Sequence, residues 1–76
     1  MVINMYRNFN LEYTVLREDE YGEYTEVINE HFYTSKEARN RFKEIKEIYG
    51  SDLEQVKLIR FRNNCTIVSE KLLYGI

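Results

Sequence analysis

A single well-delimited helix signal near the middle of the chain most restricts what these 76 residues can form. Thr34 and Glu37 have the spacing of a capping box, in which two side chains satisfy free amides at a helix N-terminus. Apolar residues then recur at helical spacing, and Gly50 follows as a residue that readily ends a helix. The sequence therefore predicts one helix over 34–49. Its predicted buried stripe consists of Ala38, Phe42, Ile45 and Tyr49, with Ile48 beside them.

Two strand-like segments precede this helix. Residues 11–17 and 23–31 are rich in strand-favouring types, and the acidic stretch 18–22 between them is predicted to form a hairpin loop. Gly22 is available there for a backbone conformation with positive φ. The alternation in the second segment is imperfect, so the sequence leaves open which of its faces points inward.

Two more strand-like segments follow the helix, at residues 56–62 and 65–72. Asn63 and Asn64 between them suit a tight two-residue turn, because Asn tolerates positive φ. This turn predicts the cross-strand pairs Arg62–Cys65, Phe61–Thr66, Ile59–Val68 and Lys57–Glu70. The side chains predicted to receive the helix are then Ile59, Phe61 and Val68.

The element order strand, strand, helix, strand, strand predicts an α+β fold, with an antiparallel four-stranded sheet packed on one long helix. Residues 1–76 are expected to form one small domain, in which residues 1–10 form an arm or an extra strand. The apolar tail 72–76 either completes the sheet or packs against another subunit. Seven tyrosines exceed what so small a core absorbs, so the sequence also predicts a homodimer.

Charge is divided unevenly along the chain. Residues 12–30 hold seven acids and one base, Arg17, whereas the remainder holds six acids and ten bases. The local balance is therefore −6 in this window and +4 outside it. This separation of charge gives the protein an electrostatic dipole, which can steer association with a charged partner. The acids of the window are Glu12, Glu18, Asp19, Glu20, Glu23, Glu26 and Glu30.

The acidic loop and the tyrosines around it form the predicted partner-binding surface. Its carboxylates suit a basic protein surface, and tyrosine supplies much contact area at low entropic cost. The alternative for the same acids is a solvated hairpin tip. The candidate residues are Glu18, Asp19, Glu20, Tyr21, Glu23, Tyr24, Glu26 and Tyr49.

A second candidate surface is basic. Four bases on the predicted helix are spaced by three, four and three residues, which aligns them beside the apolar stripe. Such a stripe can contact phosphates, although its long side chains can equally cover the edge of a core. The net charge of −2 also differs from the basic character of dedicated nucleic-acid binders. The candidates for nucleic-acid contact are Lys36, Arg39, Lys43 and Lys46, together with Arg60 and Arg62.

Catalytic and metal chemistry find little support in this sequence. His31 is the only histidine and Cys65 the only cysteine, and neither stands in a recognisable catalytic pattern. The acids at 18–20 lack the spacing of a calcium loop. The chain is therefore predicted to be no enzyme and to need no metal or cofactor. A single thiol and the absence of a leader or membrane-spanning run predict a cytoplasmic protein with no membrane partner.

Several short segments resemble the uracil-DNA glycosylase inhibitors of Bacillus phages. They are Tyr13-Thr14-Val15, the acidic loop with Gly22, the tyrosine-containing second strand, Tyr49-Gly50 and Val56-Lys57-Leu58. This resemblance implies an acidic dimer that occupies the DNA-binding groove of an enzyme in the host cytoplasm. It also implies that an aromatic pair on the helix holds a target side chain. Tyr49 would be the second member of this pair, whereas Ile45 stands in place of the first.

The leading functional hypothesis is accordingly a non-enzymatic protein-binding module, an inhibitor of a host or defence protein with a basic surface. A nucleic-acid-binding accessory protein that uses the basic helix stripe is the alternative.

Overall fold

The computed structural model describes residues 6–63 and 65–76, which form a four-stranded antiparallel sheet with one helix packed on it. The α+β class and the order of elements are as the sequence predicts. No helix in the described part of the chain is long and apolar enough to cross a membrane. The elements are β1 (Phe9–Asp19), β2 (Gly22–Phe32), α1 (Ser35–Tyr49), a short 3-10 turn (Gly50–Asp52), β3 (Leu53–Arg62) and β4 (Thr66–Tyr74).

The helix begins and ends where the sequence predicts. Thr34 is its N-cap: the hydroxyl oxygen accepts a 3.2 Å hydrogen bond from the Glu37 amide, and the hydroxyl donates to the Glu37 carboxylate. Gly50, with φ 54°, donates its amide to the Lys46 carbonyl oxygen and ends the helix. With 15 residues α1 is of modest length rather than long.

The sheet has the strand order β2-β1-β3-β4, so β1 lies inside the sheet although it comes first in the chain. The helix carries the chain from β2 across to the other side of β1, where β3 pairs with β1. Leu11, Tyr13 and Val15 alternate along β1 and are buried beneath the helix residue Ile45. Their direct partners on β3 are Leu58, Val56 and Leu53.

One member of the predicted helix stripe is misplaced. Ala38 and Ile45 are buried, and Phe42 and Tyr49 are half-buried. Ile48, predicted to lie beside them, is 60% exposed. It lies seven residues after Arg41, whose guanidinium pairs with Glu30 on β2, so both residues belong to the flank of the helix on the β2 side.

The predicted register between β3 and β4 is wrong. Arg62 lies opposite Thr66 rather than Cys65, which leaves three residues in the turn instead of two. Two bulges in β4 then move the register further. As a result Lys57 lies opposite Leu72 rather than Glu70. The other observed pairs are Phe61–Ile67, Arg60–Ser69 and Ile59–Glu70.

The predicted helix-receiving face of β3 is wrong for a different reason. The buried residues of β1 fix which side of the sheet meets the helix, and their partner Leu58 has the opposite parity to Ile59. Because side chains alternate along a strand, Ile59 and Phe61 point to the other face. Val68, the third residue of that predicted face, is 47% exposed on β4.

The C-terminal segment completes the sheet. β4 continues to Tyr74, and the Gln55 amide donates a 3.1 Å hydrogen bond to the carbonyl oxygen of Ile76. At the other end, Phe9 opens β1 and the Asn8 carbonyl accepts a 2.6 Å hydrogen bond from the Phe61 amide. Residues 1–5 of the predicted arm, and Asn64 of the predicted turn, lie outside the described residues.

Candidate functional site

The hairpin formed by β1 and β2 extends past the rest of the sheet. β1 and β2 pair without a bulge from Phe9–Phe32 to Asp19–Gly22, whereas the pairing of β1 with β3 ends at Val15. Residues 16–25, called the acidic hairpin below, therefore form a two-stranded ribbon without a third strand. At its tip the Asp19 carboxylate accepts a 2.8 Å hydrogen bond from the Tyr21 amide, and Gly22 has φ 121°.

The tip of the acidic hairpin concentrates negative charge that no cation of the described residues neutralises. Glu18 lies directly opposite Glu23, and like charges in this position destabilise a hairpin. Among the described residues, neither these two carboxylates nor those of Asp19 and Glu20 take part in an ion pair. Tyr21, between them in the turn, is 90% exposed. A positively charged partner surface would relieve the repulsion and cover the ring.

On the helix side of the hairpin, Arg17 brings three of the predicted site residues together. Its Nε donates a 2.8 Å hydrogen bond to Glu26, and its guanidinium carbon lies 5.4 Å from the centre of the Tyr49 ring. Tyr24 is directly opposite Arg17 and is 48% exposed. The hydrogen bond to Glu26 raises the pKa of the Arg17 guanidinium. Arg17 thus fixes the Tyr49 ring beside the base of the acidic hairpin.

The predicted site residues therefore fall into two groups. Tyr24, Glu26 and Tyr49 surround Arg17, whereas Glu18 and Glu23 lie on the opposite face, because neighbouring residues in a strand alternate. Asp19, Glu20 and Tyr21 connect the two groups at the tip. Sequence reasoning missed the organising role of Arg17, which becomes visible only once the register sets Arg17 beside Glu26.

A second ionic cluster links the sheet to the helix and is structural. The Arg41 guanidinium donates to Glu30 at 2.9 Å and to Glu44 at 2.9 Å, and the buried Tyr13 hydroxyl also donates to Glu30. Burial and the Glu30 carboxylate raise the pKa of Tyr13. Burial disfavours the charged form of Glu30, but the hydrogen bonds from Arg41 and Tyr13 outweigh it and lower the pKa of Glu30. No sequence pattern marked this cluster.

We expect Glu30→Gln to lower the free energy of unfolding by about 1 kcal/mol at neutral pH. A carboxyl whose pKa is lowered on folding stabilises the protein above its unfolded-state pKa and loses that contribution as the pH falls through its folded-state pKa. The difference between wild type and variant should therefore shrink in acid, as the pH falls below the pKa of 4.5 that a free glutamate has. Urea unfolding at neutral and acidic pH measures this difference. Glu44→Gln is the control, because Glu44 is 63% exposed and contacts only the Arg41 end of the cluster.

The four bases of the predicted basic stripe are all exposed and lie along the flank of the helix away from β2. We call Lys36, Arg39, Lys43 and Lys46 the basic flank; with Asn40 and Phe42 they line a shallow groove. The Lys46 ammonium lies 5.1 Å above the Phe42 ring. Arg60 lies on the helix side of the sheet with its guanidinium 5.9 Å from the Phe9 ring, and Arg62 is exposed opposite Thr66. The basic flank and the acidic hairpin are separate surfaces.

The remaining candidates show no catalytic arrangement. His31 is exposed on β2 opposite Asn10, and Cys65 is exposed in the turn before β4 with its Sγ 3.5 Å from the Arg62 carbonyl oxygen. No group of three or more metal-ligating side chains occurs in the ranges 6–63 and 65–76.

Comparisons with known proteins give no relative: no family model matches the chain, and neither curated proteins nor solved structures include a significant match.

Proposed function

We propose that this protein is a non-enzymatic binding module that inhibits a host or defence protein by docking the acidic hairpin onto a basic surface. One observation carries the proposal: an exposed, directly opposed pair of glutamates, Glu18 and Glu23, at the end of a ribbon that extends past the sheet. Such a pair costs stability in the free protein and gains from a cationic partner.

The aromatic side chains near these acids supply the contact area that exposed charges alone do not. Exposed ion pairs contribute little affinity individually, so tyrosine rings carry most of the binding energy in this proposal. Tyr21 is almost fully exposed and Tyr24 is half exposed. Arg17 holds Tyr49 in place before binding, which reduces the entropy lost when the complex forms.

The resemblance to the phage uracil-DNA glycosylase inhibitors supports a target of a particular kind. A ribbon with closely spaced carboxylates presents negative charge to a groove that normally holds a nucleic-acid backbone. In this proposal Tyr49, at the end of the helix beside the hairpin, contacts the rim of that groove. The host enzyme or defence protein would then be inhibited because its nucleic-acid site is occupied.

Nucleic-acid binding through the basic flank is the second candidate. It is favoured by the groove in which Phe42 lies between exposed bases, since an aromatic ring beside cations suits both a phosphate and an unstacked base. The two candidates use different surfaces and are separated by one experiment.

Two variants with four neutralised charges each form a matched pair for this experiment. The hairpin variant combines Glu18→Gln, Asp19→Asn, Glu20→Gln and Glu23→Gln. The flank variant combines Lys36→Gln, Arg39→Gln, Lys43→Gln and Lys46→Gln. Each variant and the wild type serve as bait in host lysate, and each is titrated with single-stranded DNA and RNA at two salt concentrations.

We expect the wild type and the flank variant to capture the same protein from the lysate. The hairpin variant should not capture it. Binding that is lost only in the flank variant, together with salt-dependent affinity for DNA or RNA, would instead establish the nucleic-acid alternative.

A further inference from the structure

The two edges of the sheet differ in how well they could pair with another strand. β4 has two bulges and a lysine, Lys71, near its middle, and both features are typical of edges that avoid pairing. β2 has eleven residues, no bulge in its pairing with β1, and neither proline nor lysine. Within the described ranges, no strand pairs with its outer edge. Val27, at the centre of β2, is 56% exposed.

We propose that a second copy of the chain pairs with β2 in antiparallel orientation, about a two-fold axis at Val27, and so forms an eight-stranded sheet across the dimer. Residues directly opposite each other in antiparallel strands point to the same face, so a two-fold axis pairs residues of equal parity. Centring the axis on Val27 pairs all of β2. It sets Val27 opposite itself, Thr25 opposite Asn29, Glu23 opposite His31, Tyr24 opposite Glu30 and Glu26 opposite Ile28 of the second copy.

Repulsion between the acids of β2 favours this register over the neighbouring ones. Moving the axis by one residue toward the hairpin tip would place Glu26 opposite Glu26 of the second copy. Moving the axis by one residue toward Phe32 would place Glu26 of each copy opposite Glu30 of the other. Like charges in these positions are destabilising, whereas the Val27 register has no opposed carboxylates. It also places an imidazole, that of His31, opposite a carboxylate, that of Glu23.

An exposed helix residue adds independent support. Ile48 lies on the flank of α1 that faces β2, and it is 60% exposed. Arg41 on the same flank pairs with Glu30, and Tyr49 lies beside Arg17, which is opposite Tyr24. Ile48 directly precedes Tyr49 and therefore lies on the β2 flank toward the Tyr24 end of that strand, where the helix of the second copy would face it. A large apolar side chain left in this position gains from burial.

This dimer leaves the tip of the acidic hairpin free. The axis at the centre of β2 sends the two tips in opposite directions, so Glu18, Asp19, Glu20 and Tyr21 of each copy remain accessible. Glu23 and Tyr24 belong both to the hairpin and to the proposed strand pairing. Val27→Lys leaves the whole hairpin unchanged, so it separates a failure of the dimer from a failure of the proposed function.

The first test compares one substitution on two edges. Val27→Lys sets two ammonium groups against each other on the axis and should raise the concentration at which dimers form by roughly tenfold or more. Val68→Lys makes the same change at a comparably exposed valine on β4 and should leave the dimer intact. Sedimentation equilibrium measures both, and circular dichroism checks folding. A monomeric wild type at high micromolar concentration, or a Val27→Lys dimer as strong as wild type, overturns the proposal.

A cross-link tests the register itself. In a Cys65→Ser background, Val27→Cys lies opposite its own copy and should form a covalent dimer on mild oxidation. Val68→Cys in the same background should remain largely monomeric on a gel that is run without reducing agent. Equal cross-linking of the two variants would show random collision instead of the proposed axis and would refute the register.

Discussion

Ile45→Ala is expected to lower the free energy of unfolding by about 2–5 kcal/mol, enough to unfold much of so small a domain. Ile45 has no exposed surface and packs on Leu11, Tyr13 and Val15 where the helix crosses β1. Truncation leaves a cavity that β1 cannot fill, because β1 is fixed between β2 and β3.

Ile48→Ala is the matched control for this prediction. It removes the same atoms three residues later in the same helix, from a side chain that is 60% exposed. Urea unfolding of the monomer should show that Ile48→Ala lowers the free energy of unfolding by less than about 0.5 kcal/mol, as is usual for surface substitutions. Similar losses at the two positions would mean that the helix is rotated about its axis relative to the sheet.

Neutralising the tip of the acidic hairpin is expected to slow association with the captured partner by at least about tenfold at low salt. The hairpin variant described above removes four carboxylates that form no ion pair among the described residues. Asp19→Asn keeps a side-chain oxygen that can accept the hydrogen bond from the Tyr21 amide, so the variant should not destabilise the fold. Relieving the Glu18–Glu23 repulsion should even raise the midpoint of thermal unfolding slightly.

The salt dependence identifies the cause of this effect. Long-range attraction is screened within about 8 Å at physiological ionic strength, so wild type and variant should associate at similar rates in high salt. Stopped-flow measurement over a series of salt concentrations gives both rates. A difference that persists unchanged in high salt would mean that the variant lost direct contacts rather than electrostatic steering.

The helix and the order of the elements along the chain could be predicted from the sequence because their signals are local. Thr34, Glu37 and Gly50 act within one or two turns of the helix, and the α1 boundaries follow from them. The pairing of β3 with β4 could not be predicted, because the bulges in β4 shift the register without a glycine to mark them. The exposure of Ile48 also depends on tertiary packing, since periodicity alone places it at the border of the stripe.

Part of the candidate site could be predicted because its signal, the run of acids, is also local. Charge counting located the acidic hairpin, and every predicted residue from Glu18 to Glu26 lies on it or next to it. Arg17 was counted only as an exception to the acidic run, because its contacts with Glu26 and Tyr49 span 9 and 32 residues along the chain. The cluster of Tyr13, Glu30 and Arg41 likewise combines three elements that no local pattern connects.

Site-specific photocross-linking tests most directly whether the tip of the acidic hairpin is the binding surface. A benzophenone amino acid replaces Tyr21 in one sample and Val68, on the far edge of the sheet, in the other. Both are irradiated in host lysate, and the adducts are identified by mass spectrometry. We expect that position 21 alone cross-links to a protein with a basic surface, and that excess wild-type protein suppresses the adduct. An adduct of the same protein from position 68, with none from position 21, would contradict it.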